Sequence, residues 1–155
     1  MRRPGTAQGV ATLATVCLLT GCGGGHTATK QDVIARANGI CVNTLRAVRN
    51  VPPPAGGSLP ALATYLGKVQ PIIDKEAADT RALPRPAQDR AILNHYVAAV
   101  SAGAAQYHAA ATAAKSDDSA AVSQALGALR DNTAPTFAAR YGLDECSASA
   151  GTKAP

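Results

Sequence analysis

Three interruptions fix what this chain can fold into: VPPPAGGS at 51–58, LPRP at 83–86 and KSDDS at 115–119. Proline lacks the backbone donor that a helix interior needs, and glycine, serine and aspartate favour turns and caps. Between the interruptions the chain is rich in Ala, Leu, Arg, Gln and Asp with few β-branched runs, a composition that favours helix. The pattern predicts four helices, at roughly 30–50, 59–82, 86–115 and 118–141.

Each segment carries one apolar face. In the first, Val33, Ala37, Ile40, Thr44 and Val48 recur at steps of three and four, with Cys41 and Leu45 beside them. Thr29 and Asp32 have capping-box spacing at its start. Ser58 caps the second segment, Pro60 suits its first turn, and Leu59, Leu62, Leu66, Val69 and Ile73 keep the rhythm. Pro71 falls inside it and predicts a kink. The third starts at Pro86 and presents a narrow seam of Ile92, Tyr96, Ala99, Gly103, Gln106 and Ala110. The fourth turns Val122, Leu126, Leu129, Thr133 and Phe137 inward; Asp117 and Asp118 cap its start, Pro135 predicts a bend and Gly142 a left-handed stop. Short loops between long amphipathic helices imply antiparallel neighbours: an all-α, up-down four-helix bundle. The last residues, SASAGTKAP at 147–155, read as a disordered tail.

The N-terminus reads as an address. Arg2 and Arg3 make a basic start, and VATLATVCLLT from Val10 to Thr20 carries no charge. Eleven helical residues rise only about 16 Å, roughly half a bilayer's hydrocarbon core, which fits a signal peptide rather than a membrane span. The run ends in Leu19-Thr20-Gly21-Cys22, which resembles the lipobox of bacterial lipoproteins. That resemblance implies diacylglycerol (palmitate-type acyl chains) on the Cys22 thiol and cleavage before it. Two acyl chains anchor stably where one is marginal. Gly23 to Gly25 then serve as a flexible tether. The expected layout is a signal peptide at 1–21, lipidated Cys22 and tether at 22–29, a bundle domain at 30–146 and the tail at 147–155. The expected location is the extracytoplasmic face of the cell membrane, held by lipid. An ordinary secretory signal would release the protein instead.

The same resemblance simplifies the cysteines. Four allow three pairings, but Cys17 leaves with the signal and Cys22 carries lipid. Cys41 and Cys146 remain, and outside the cytoplasm they are expected to form a disulfide. Losing Arg2 and Arg3 leaves 13 basic residues against 10 acidic, a net charge of +3 without a basic run. That balance, with no Trp and one Phe, gives no support to nucleic-acid binding.

A second resemblance covers most of the mature chain. Cys41 in the first helix, PPPAGGSLPALATYL at the entry to the second and YGLDEC at the end are similar to a group of small exported helical proteins of actinobacteria, often lipoproteins. It implies a fold and an address and carries no activity.

Chemistry-bearing residues are sparse. His26 lies in the tether, and His95 and His108 sit thirteen residues apart on one helix, about 140° out of line, so they cannot share a metal from that helix. No metal or cofactor is expected. Asp74, Glu76 and Asp79 diverge around the second helix and read as a solvated face, with Glu76 near the seam set by Leu62 and Val69, at a helix edge or paired. Ser101 and Ser123 lack a nucleophile-elbow context. Tyr96 and Tyr107 are eleven residues apart, about 20° out of line, and share a face. Rings at that spacing ordinarily fill the core. Small Ala99 and Gly103 between them make the same face, Tyr96, Ala99, Gly103 and Tyr107, a candidate slot for a small apolar ligand. The expectation is a non-catalytic binding or scaffold module for another envelope component, with a small-ligand carrier as the alternative.

Overall fold

A computed structural model describes residues 28–148. The expected signal peptide, the expected lipobox with Cys22, the expected tether as far as residue 27 and residues 149–155 of the expected tail lie outside the described residues. The described chain is all helical: α1 Lys30–Arg49, α2 Leu59–Arg81, α3 Arg90–Lys115, α4 Ser119–Arg130, α5 Ala134–Tyr141 and α6 Asp144–Ala148, with one 3₁₀ turn at Ala87–Asp89 before α3. α6 extends two residues into the stretch read as tail.

Local chemistry places the ends. Thr29 Oγ1 accepts from Asp32 N while the Asp32 carboxylate accepts from Thr29 N, the reciprocal capping box expected for α1. Ser58 caps α2 through Ala61 N. α2 runs unbroken through Pro71. Both Pro71 and Gly67, whose carbonyl loses its helical donor there, lie on the solvent face, where water can satisfy that oxygen. Between α3 and α4 the two aspartates divide the work. Asp118 Oδ1 accepts from Ala121 N and caps α4, whereas Asp117 takes a left-handed φ of 57° and closes α3, letting Asp118 N reach Ala113 O at 3.0 Å.

The fourth expected helix is two helices. Pro135 lies in the first turn of α5, where a missing N–H costs nothing, and the helix breaks at 131–133 while the chain keeps its course along α3, Phe137 reaching His95 and Tyr141 reaching Asp89. Asn132 makes the break hold: its Oδ1 accepts from Ala134 N at 2.8 Å and its Nδ2 donates to Ala99 O in α3 at 2.9 Å. α5 ends as expected at Gly142, φ 92°, with Leu143 N bonded to Ala138 O and Gly142 N to Ala139 O. Leu143 and Ala138 are both wholly buried, completing the apolar contact of this motif.

α3 is the central helix, packed against α2, α4 and α5, while α1 leans on α2 and α6. Cys41 in α1 and Cys146 in α6 form the disulfide, their Cα atoms 5.2 Å apart. Two apolar clusters divide the interior. One gathers α1, the first half of α3, α5 and α6 around Val33, Leu93, Tyr96 and Leu143. The other joins the start of α2, the end of α3 and α4 around Leu66, Ala110, Ala114 and Val122. Leu93, wholly buried, takes the place expected for its neighbour Ile92, which is half-buried.

Candidate functional site

The gap between the two clusters is where the candidate site forms. Along the middle of α3, side chains are small: Ala99, Gly103 and Ala104. They leave a cleft of about 620 Å³ walled by α2, α3, α4 and the start of α5. Ile73 and Glu76 line it from α2, Tyr107 from α3, Leu126, Leu129 and Arg130 from α4, and Pro135 from α5. Cys146 also reaches the cleft, so the disulfide borders it.

Three of the four residues expected to shape a slot, Ala99, Gly103 and Tyr107, line this cleft. Tyr96 does not, and its place in the slot is corrected. It is buried in the cluster on the α1 side, with its hydroxyl 3.6 Å from Cys41 Sγ. The shared periodicity of the two rings was real, but α3 meets different neighbours along its length, so one face serves two environments. Gly103 is close to Asn132: a Cβ there would lie 3.2 Å from Asn132 Nδ2. Absence of a side chain thus matters twice, widening the cleft and admitting the Asn132 bridge.

Glu76 is the polar group that the apolar walls make conspicuous. It is half-buried, and among the described residues it makes no hydrogen bond or ion pair. Burial removes water from its carboxylate and raises its pKa from the ordinary carboxylate value. It stands close enough to Tyr96 to help raise that phenol, after burial, which is the larger cause. Burial likewise raises the Tyr107 hydroxyl, with Tyr65 adding to it, and that hydroxyl too has no partner among the described residues. The other two acids of the sequence cluster point elsewhere. Asp79 pairs with Lys75 at 2.7 Å on the surface, and Asp74 accepts from His108 Nε2 at 2.6 Å.

His108 is held at both nitrogens, because Gln70 Nε2 lies 2.8 Å from Nδ1. With Nε2–H donated to Asp74, Nδ1 accepts the amide proton of Gln70. The ring therefore clasps α2 to α3 and has no nitrogen left to take a proton from a substrate. His95, as its different direction on α3 required, is far from this clasp in the fold and stacks on Phe137 of α5, the ring centroids 5.2 Å apart. Neither cross-helix pairing was visible in the sequence. Among the described residues no cluster of three or more His, Cys, Asp or Glu side chains could hold a metal ion, and no helix is long and apolar enough to cross a membrane.

No protein-family model, curated protein or solved structure matches this chain.

Proposed function

We propose that this protein is a lipid-anchored binding module on the extracytoplasmic face of the cell membrane, and that its ligand is a small, largely apolar molecule taken up in the cleft beside α3. The single observation that carries this reading is the cleft itself. Its volume suits a small organic ligand, its walls are mainly aliphatic, and Ala99, Gly103 and Tyr107 of α3 line it. The anchor rests on Leu19-Thr20-Gly21-Cys22. The cleft reading moves the alternative, a ligand carrier, ahead of a scaffold for another envelope protein.

Binding rather than catalysis is the role we assign. His108, the histidine nearest a carboxylate, has both nitrogens engaged, and Glu76 has no described histidine or cysteine thiol at hand to activate. The test is a titration of the full chain, in nanodiscs of uncharged lipid, with the neutral fluorescent probe N-phenyl-1-naphthylamine, corrected for empty discs. Saturable binding that is lost in Leu126→Trp, where an indole would project into the cleft and obstruct it, supports the reading. Binding unchanged by that substitution, or no binding beyond the empty discs, contradicts it.

A further inference from the structure

Resting on the reading of the cleft as a ligand site, we infer that it selects cationic amphiphiles: molecules with a compact apolar body and one ammonium group that seats against Glu76.

The inference starts from an imbalance. Aliphatic side chains from three helices wall a cleft in which Glu76 is half-buried and unpaired among the described residues. A carboxylate withdrawn from water without a partner is unfavourable, whereas one that meets a cation gains a charge-assisted hydrogen bond. Elsewhere in the fold the acids are paired or solvated. Lys75 takes Asp79, His108 takes Asp74, and the Tyr141 hydroxyl donates to Asp89 at 2.9 Å. Glu76 is the carboxylate left facing an apolar space that a small molecule could enter.

The other polar groups of the cleft sharpen the choice. Asn132 is spent on Ala99 O and Ala134 N, so it offers a ligand little. Tyr107 contributes an unpartnered hydroxyl and a ring that suits the apolar body or the face of a cation. Arg130 is the group that opposes a cation. It is exposed, and its Nε turns back 3.5 Å from Leu126 O of its own helix. A solvated guanidinium is screened by water and salt far more than the half-buried carboxylate. Glu76 therefore sets the preference inside, and Arg130 acts at the mouth. An anionic ligand would have to meet Glu76, and a neutral one would leave its charge uncompensated.

The test compares one apolar body with two head groups. Full chain in nanodiscs of uncharged lipid is titrated at pH 8 with 1-aminoadamantane, a cation there, and with 1-adamantanol, its neutral counterpart, following the thermal shift by circular dichroism. The expected result is affinity for the amine at least tenfold above that for the alcohol, and equal affinities in Glu76→Gln. Arg130→Gln should widen the wild-type preference, a change that a merely structural role for Glu76 would not produce. Equal binding of both compounds by the wild type overturns this inference and leaves the cleft as a site for neutral ligands, and a preference that survives Glu76→Gln overturns it by assigning the selection to another group. Binding of neither overturns the cleft reading with it.

Discussion

Asn132 Nδ2 donates to the main-chain oxygen of Ala99 across the floor of the cleft, 2.9 Å away. One side chain, just past the end of α4, thereby starts α5 and fixes this junction to the centre of α3. Its removal deletes a part-buried hydrogen bond and a helix-start contact together. Asn132→Ala is expected to cost about 1–2 kcal/mol in urea unfolding followed by circular dichroism. Gly103 supplies the control. Alanine normally stabilises a helix interior by about 1 kcal/mol relative to glycine. Here its Cβ would press on Asn132 at 3.2 Å. Gly103→Ala should therefore destabilise the native chain but stabilise the Asn132→Ala variant, and the same sign in both backgrounds would show that the two residues are not coupled.

Asp117 and Asp118 are adjacent, with opposite preferences. Asp117 holds a left-handed φ of 57°, where glycine has no steric cost, so Asp117→Gly is expected to raise stability by a few tenths to about 1 kcal/mol. Asp118 caps α4, and Asp118→Ala should lower stability by about 1 kcal/mol. Melting curves of the two variants would move in opposite directions; parallel shifts would contradict this division of roles.

The Cys41–Cys146 bond joins residues 105 positions apart and ties α6 to α1. Chain-entropy reasoning assigns a loop of that length about 4–5 kcal/mol and about 2–4 kcal/mol is typical in practice, so the Cys41→Ser, Cys146→Ser double variant should lose about 2–5 kcal/mol. Thiol labelling of mature protein without reductant should find both cysteines blocked. Free thiols at these positions would remove the staple from the account.

Glu76 gives the pH dependence a sign. Its folded pKa is raised by burial, so the folded state holds its proton to higher pH than the unfolded chain does. Stability therefore falls as pH rises from the ordinary glutamate value of 4.5 through the raised pKa. Tyr96 lies within electrostatic reach of this carboxyl and Tyr107 and Arg130 line the same cleft, and Glu76→Gln leaves all three in place. The glutamine variant should match the wild type in acid and exceed it at neutral pH. A wild type that gains on Glu76→Gln with rising pH would mean that the carboxylate has a stabilising partner.

Much of the fold was legible because breakers and caps act locally. Thr29, Ser58 and Gly142 do in the structure what their neighbours in the sequence imply. Pro135 was misplaced because a proline inside a bend and a proline opening a helix look alike until Asn132 is seen to reach Ala99, 33 residues away. The small residues of the cleft were legible as a seam, Ala99 and Gly103 among them. The cleft's depth was not, since it depends on two clusters that meet α3 at different stretches of its length. Glu76 followed the seam rhythm of Leu62 and Val69, but its lack of a partner is a property of three helices at once.

The central claim, a lipid-anchored chain that carries a small molecule beside α3, is tested most directly by a native mass spectrum of the protein gently extracted from its own membrane. The expected spectrum shows a chain beginning at Cys22 with acyl groups attached, two hydrogens lighter for the disulfide, and a non-covalent small molecule that is absent from Leu126→Trp. An unacylated chain, or an acylated one that carries no small molecule at any extraction strength, would contradict it.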